Sequence, residues 1–326
     1  MTTVHAAMRE GLLTVADATG DPSGRLALSD RRLSSLAATG DTVLVGTVES
    51  GLLRSPDGGE SFERVGEELP ERVTSLAVSP HDPDVVWAGT EPSRVFRSAD
   101  GGATWTERPG LTELDSAEEW SFPPRPDTHH VRWIEPHPTE PGRLYVGIEA
   151  GALVRTDDGG ETWRDRPEGA RRDNHTLTTH PDAPERVWTA AGDGYAESRD
   201  GGDTWTSPQS GLDHRYCWSV ALDPDDPETV VVSAASGARS AHSPPAETYL
   251  YRKTGDEPWA RVDDGIPTGE GVLRAVLQRG TAAGELYALD DRGLYRSTDG
   301  GATWSGVDVD WPERFVGQTA RGLAVR

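Results

Sequence analysis

The sequence predicts an all-β fold, a seven-bladed β-propeller, and three observations carry that prediction. Five segments share one pattern: SPDGGESF from Ser55, SADGGATW from Ser98, TDDGGETW from Thr156, SRDGGDTW from Ser198 and STDGGATW from Ser297. A worn sixth copy, KTGDEPW, runs from Lys253 to Trp259. Apart from two insertions the copies recur about every 43 residues, the length of one four-stranded propeller blade. Between them, apolar residues alternate in short runs bounded by Gly, Pro and Asp, which is the pattern of half-buried strands.

Each copy reads as the hairpin between the third and fourth strands of a blade. The carboxylates of Asp57, Asp100, Asp158, Asp200 and Asp299 can accept N–H bonds within the turn, and the glycines beside them can take positive φ without steric cost. These aspartates are therefore expected to be structural. The Trp or Phe that follows opens the next strand and offers it a large apolar face. In the second repeat, residues 74–79, 85–90, 95–98 and 104–108 read as four strands, with a proline turn at 81–84 that recurs as HPTEPGR, HPDAPER and DPDDPET. The blades so defined span 33–66, 73–110, 131–168, 174–209, 215–262 and 272–307, with Gly255 standing in for the aspartate that the sixth copy lacks. Residues 1–32 lack a first strand, and the final RGLAVR matches TSLAVS of the second repeat. The seventh blade is thus 319–326 plus 1–32, closed by the C-terminal strand joining the N-terminal blade, which removes exposed sheet edges.

The boxes are similar to the BNR/Asp-box repeat, S/T-x-D-x-G-x-T-W, and the chain resembles the Asp-box β-propellers that include sialidases, sortilin-like domains and several glycoside hydrolases. The resemblance implies a glycoside hydrolase or lyase, or else a non-catalytic protein-interaction or assembly scaffold. The sialidase Arg-Ile-Pro motif is absent, the Tyr-Glu pair of that family has no matching residues here, and sialidases have six blades. Xyloglucanase-like enzymes place their active site between two propellers, whereas this chain has length for one.

Acids outnumber bases by 55 to 32, a net charge of -23, and Lys253 is the single lysine. With no run of bases to offset it, this surface would repel nucleic acid and anionic membranes, so neither is expected as a partner. Self-repulsion of this size is relieved in molar salt, where the screening length falls to about 3 Å, so a salt-rich, halophilic cytoplasm is expected. No basic segment followed by an apolar stretch opens the chain, and a cytoplasmic monomer is expected. Cys217 is the single cysteine. It can form no intramolecular disulfide, and its strand-like setting suits a buried, inert thiol.

The two insertions, 111–130 and 234–247, fall on the face opposite the Asp boxes, where scaffolded loops carry function. Trp120, Phe122, Arg125, His129 and His130 are costly choices for padding in the first of them. Aligning the first strands by their turn prolines puts Ser34, Thr74, Arg132, His175, Trp218, Arg274 and Arg321 at one equivalent position, at the mouth of a central channel. The arginines there would attract an anionic small molecule or a carbohydrate. The expected ligand-binding set is therefore Trp120, His129, His130, Arg132, His214, Arg215, Trp218, Arg274 and Arg321. The ends of the second strands bring Glu91, Glu149 and Asp290 to the same rim. Glu91 and Glu149, with His175, are the candidate catalytic groups, acting as acid and base if desolvated; otherwise the carboxylates are partners of the arginines. No cofactor is expected. A metal, if one is bound, would take His129 or His130, joined by His175 and a carboxylate such as Glu91 or Glu149, since adjacent residues of an extended chain point to opposite sides.

Overall fold

The computed structural model describes residues 1–326. The chain forms two compact units: unit one comprises 1–31, 192–195 and 208–326, and unit two comprises 32–191 and 196–207. Both are built almost wholly of short antiparallel strands paired in sequence order. No helix is long and apolar enough to cross a membrane.

Unit two begins with the second half of the strand Ser23–Thr39, which pairs with Thr42–Thr47, followed by Leu52–Ser55 and Glu63–Val65. The next sheet holds Arg72–Val78, Val86–Glu91, Val95–Ser98 and Thr106–Arg108, within two residues of the predicted strands. Two three-stranded sheets follow, Val131–Pro136 with Leu144–Ile148 and Ala152–Thr156, then Asn174–Thr179 with Val187–Ala191 and Gly194–Ser198.

The Asp boxes hold the hairpins as their chemistry dictates. Asp100 Oδ1 accepts N–H bonds from Ala103 at 3.1 Å and Thr104 at 2.9 Å, and the Ser98 hydroxyl at 2.7 Å, while Oδ2 takes the Thr104 hydroxyl at 2.7 Å. The Ser98 hydroxyl in turn accepts the N–H of Gly102 at 2.9 Å. Asp57, Asp158, Asp200 and Asp299 repeat this arrangement. Hydrogen bonds from Thr104 lower the Asp100 carboxyl to about 2, and those from Thr162 lower Asp158 to about 2. The second glycine of each box sits at positive φ, +85° at Gly102, which a side chain would strain.

Neighbouring sheets of unit two approach closely. A Cβ on Gly89 would lie 2.4 Å from Val131 Cγ1, so the middle of that strand has room only for glycine. Six of the first strands carry a β-bulge at a matching place, whereas Val276–Arg279 pairs without one. Register shifts occur around Ser34, Thr74, Arg132 and His175 in unit two, and around Trp218 and Arg321 in unit one. These are six of the seven residues the turn prolines aligned; the seventh, Arg274, lies just before the strand Val276–Arg279. A bulge leaves one residue outside the ladder and re-aims its side chain. Ser34 and Thr74 use that freedom to donate to the carbonyls of Val73 and Val131, both at 2.6 Å, tying each sheet to the next.

In unit one the last strand, Ala320–Val325, pairs antiparallel with Val4–Met8, setting Val4 opposite Val325 and Ala7 opposite Gly322. Glu10–Ala16 and the start of the strand Ser23–Thr39 continue that sheet. The other two sheets hold Tyr216–Asp223, Asp226–Ala235, Glu247–Thr254 and Ala260–Val262, and Val276–Arg279, Leu286–Leu289, Leu294–Ser297 and Ser305–Gly306. Met8, Leu13, Val15, Tyr287, Leu289, Phe315 and Leu323 share one core, and Cys217 is buried.

The worn sixth box is shifted by one residue from its sequence alignment. Gly255 N donates to Glu228 O at 2.9 Å, just as the first glycine of the intact boxes does, for example Gly101 N to Asp84 O at 2.9 Å. Thr254, rather than Gly255, therefore occupies the aspartate position. The insertion at 234–247 is also more regular than a loop, since Ala238–His242 forms a short α-helix.

Candidate functional site

Seven of the residues singled out from the sequence, Glu91, Trp120, His129, His130, Arg132, Glu149 and His175, lie in unit two, on strand ends and on the 111–130 segment. That segment is not an open lid. It makes two 3-10 turns, Leu111–Glu113 and Asp115–Glu119, and buries Leu111 and Trp120 in the core with Val95, Val131 and Ile148. Trp120 is thus a packing residue instead of an exposed stacking platform. Its indole N–H donates to Ser116 Oγ at 3.0 Å, and its ring meets the edge of His129 at 5.5 Å between centroids.

Glu91 ends its strand against two arginines. Arg125 grips the carboxylate with two bonds of 2.8 and 2.6 Å, and Arg72 Nε lies 3.5 Å away. Burial works to raise the Glu91 carboxyl, but the Arg125 hydrogen bond and the charges of Arg72 and Arg125 outweigh it and hold it below the ordinary range. Arg125 also stacks over Phe122 at 4.7 Å, and Phe122 meets His130 at 4.8 Å.

Glu149, at the end of the neighbouring sheet's second strand, accepts the Nε2 proton of His130 at 2.9 Å and lies 3.6 Å from Arg132 Nε. The bulge explains the second contact, because Arg132 is the residue turned out of the ladder beside that strand end. Burial pushes the Glu149 carboxyl up, yet the His130 hydrogen bond and the charges of His130, His175 and Arg132 bring it well below the usual carboxylate range. One sheet further on, the fully buried His175 has Nε2 3.7 Å from Asp173 Oδ2, while Asp173 Oδ1 accepts the N–H of Ala150 at 2.7 Å. Glu149, Asp173 and His175 have ligating atoms all within 4.8 Å of one another. Of the groups the sequence named for a metal, the structure brings His175 and Glu149 together, with His130 on Glu149 and Asp173 beside them.

Beside Glu91 a cavity of about 400 Å³ opens between Pro92–Arg94, the segment 107–112 and His129. Three of its lining residues carry buried polar atoms without a hydrogen-bond partner: Ser93 Oγ, Arg108 Nε and His129 Nδ1. Burial, then the neighbouring His130 charge, lowers the His129 pKa, so the ring is neutral and its nitrogens can accept as well as donate. The wall arginines already face acids, Arg94 with Glu107 at 3.7 Å and Arg108 with Glu161 at 2.5 Å. Ser93, Arg108 and Asp173 were not singled out in the sequence. Ser93 and Arg108 are marked only by the unpartnered Ser93 Oγ and Arg108 Nε, which composition and spacing do not reveal.

The remaining predicted residues, His214, Arg215, Trp218, Arg274 and Arg321, belong to unit one. Arg274 is fully buried, stacked over Trp218 at 3.5 Å and donating to Ala320 O at 2.9 Å and His242 Nδ1 at 3.2 Å. This is the same sheet-to-sheet bond that Ser34 and Thr74 make, so the expected ligand contact at Arg274 is corrected to a scaffold role, and buried Trp218 goes with it. His214 bonds Tyr251 Oη at 2.5 Å and stacks on Tyr249 at 4.3 Å. Arg215 is exposed, and Arg321 is the bulged residue of the last strand. Asp290, at the corresponding strand end in this unit, accepts N–H bonds from Arg292 at 2.6 Å and Gly293 at 3.0 Å. Burial, with a further push from the Asp291 charge, raises its carboxyl to about 7.

The family model for the BNR/Asp-box repeat matches residues 295–305. Xyloglucanase Xgh74A of Acetivibrio thermocellus is 25% identical over 253 residues, covering 65% of this chain and 28% of its own length, so the chain spans little more than a quarter of that relative. The GH74 xyloglucanase of Xanthomonas campestris superposes with a TM-score of 0.70 at 18% identity, covering 94% of this chain and 52% of that one. YCF48 bound to a D1 peptide superposes with a TM-score of 0.59 at 18% identity, covering 86% of this chain and 83% of that one. The five intact boxes with their repeated hydrogen bonds and the family-model match agree: the chain carries BNR/Asp-box repeats.

Proposed function

We propose that this is a carbohydrate-binding Asp-box propeller of seven blades, closed by its terminal strands, which holds a saccharide in the cavity beside Glu91. The single observation that carries the reading is the set of buried, unpartnered polar atoms of Ser93, Arg108 and His129 around one cavity of about 400 Å³. Buried groups without partners cost free energy, and a ligand with several hydroxyls, each donor and acceptor, relieves that cost. The similarity to xyloglucanases supports sugar as the ligand class. The acids facing Arg94 and Arg108 favour a neutral saccharide over the anionic ligand that the arginines first suggest.

Hydrolysis is less well supported than binding. A glycosidase needs one carboxyl kept protonated to donate to the leaving oxygen, and both Glu91 and Glu149 are held ionised by basic partners. A second reading, a scaffold for an extended peptide, is favoured by one observation: YCF48 matches this chain over nearly its whole length, whereas the GH74 enzyme is about twice as long.

Calorimetric titration with xyloglucan oligosaccharides, an acidic oligosaccharide and an unrelated peptide separates these readings. Neutral-saccharide binding is expected, weakened about tenfold in Ser93→Ala and in His129→Ala with Tm unchanged, the loss of one well-placed hydrogen bond. Absence of saccharide binding at millimolar concentration by the folded protein would exclude the proposal, and binding of the peptide alone would favour the scaffold.

A further inference from the structure

We infer that a small cavity at Asp290, in unit one, binds one monovalent cation, sodium or potassium, through oxygen ligands. The cavity has a volume of about 10 Å³, the room of a single water molecule, and its polar lining comes from Asp290 and the hydroxyl residues Ser233, Thr248 and Thr268. Asp290 itself is only 1% exposed. Its Oδ1 accepts the N–H groups of Arg292 at 2.6 Å and Gly293 at 3.0 Å, whereas Oδ2 receives no hydrogen bond from the protein. That oxygen is not sealed off either, so it keeps an open surface on the cavity that its residue lines. A buried carboxylate oxygen without a donor is costly, and it is relieved by whatever positive group can reach it.

The carboxylates at the corresponding strand ends show what is missing. Glu91 is gripped by Arg125, and Glu149 accepts from His130, so each has a basic side chain bonded to it. Asp290 has a cavity in that place. Of the charged and titratable groups that act on it, Asp291 is a like charge and Tyr295 is kept neutral by burial. Arg292 acts on it through its charge, but the guanidinium is directed elsewhere, with Nε 3.3 Å from Asp291 Oδ2 and Nη2 donating to Gly271 O at 2.7 Å. The hydroxyl of Thr248 spends its proton on Val272 O at 2.6 Å, which leaves that oxygen its lone pairs, and Ser233 Oγ accepts the Ala275 N–H at 3.1 Å with a second lone pair to spare. Oxygen donors of this kind suit a hard cation. A single carboxylate balances a single positive charge, whereas a dication would leave a surplus in a buried site and would require more ligands than one carboxylate and a few hydroxyls.

The test is a thermal melt of the full chain, wild type and Asp290→Asn, at pH 8 in molar KCl, NaCl and choline chloride. The three salts screen the surface charge equally, and choline is too large for a cavity with room for one water. In KCl or NaCl the wild type is expected to melt at least about 2 °C higher than in choline chloride, after subtraction of the same difference in Asp290→Asn, because a ligand bound only by the folded state raises Tm. Asp290→Asn keeps the Oδ1 acceptor and the side-chain shape, so it folds and reports what small cations do at every other acid of the surface. Its stability advantage over the wild type at pH 8 is expected to narrow in the potassium or sodium salt. Equal salt differences in the two proteins would overturn the inference and leave the cavity to a water molecule. The saccharide titration uses none of these residues, so either proposal can fail without the other.

Discussion

Carboxylates a few residues from similar strand ends meet opposite fates in this protein. Glu91 and Glu149 are ionised by the basic groups packed on them, whereas at Asp290 burial, helped by the like charge of Asp291, outweighs two backbone donors and the Arg292 charge and raises it to about 7. The sign of the consequence follows from linkage. The folded state holds the Asp290 proton more tightly than the unfolded chain, so this residue costs stability increasingly as pH rises from about 4 to about 7. Asp290→Asn, whose amide oxygen can still accept from the Arg292 and Gly293 N–H groups, is expected to stabilise the protein at pH 8 by about 4 kcal/mol and to be nearly neutral at pH 4. Urea melts at the two pH values check this; an equal effect at both would mean that the carboxyl does not titrate in that window.

At the scale of elements, the box hairpin and the bulged first strand recur from sheet to sheet and divide the work between them. The boxes close hairpins through local hydrogen bonds, and those were legible in the residues because donor and acceptor lie within five positions of each other. The bulges were not legible as bulges, although aligning turn prolines found Ser34, Thr74, Arg132, His175, Trp218 and Arg321 as equivalents. A side chain freed from the ladder can reach a neighbouring sheet, as Thr74 does, or a carboxylate, as Arg132 does, and nothing in the residue type says which. The terminal strand is a second element with a definite consequence. Removing 320–326 strips the partner from Val4–Met8 and exposes its unpaired edge together with core residues packed against Leu323. The truncated chain is expected to aggregate or unfold, and light scattering with circular dichroism checks it; a monomer melting at the same temperature would contradict the role given to this strand.

At the scale of the whole molecule, charge is the dominant physical fact. A net charge of -23 on 326 residues works against compactness until salt screens it. Tm is expected to rise between low salt and molar KCl, and a melt at several concentrations measures it; a flat profile would remove the halophilic reading. The surplus is not spread evenly in its effects, because acids in the boxes are satisfied by N–H donors while Glu91 and Glu149 are matched by basic side chains.

What the sequence determined alone is the repeat, the all-β class and the structural duty of Asp57, Asp100, Asp158, Asp200 and Asp299, since each rests on contacts between near neighbours along the chain. Only the tertiary structure decided which polar residues are spent on the scaffold and which are left over. Arg274 and Arg132 look alike in an alignment, yet one is fully buried on Trp218 and the other sits by Glu149. Ser93, Arg108 and Asp173 gain their interest from surroundings supplied by distant segments. The reason is that hydrogen-bond satisfaction and charge balance are properties of a packed neighbourhood, and the neighbourhood exists only once the sheets are in place.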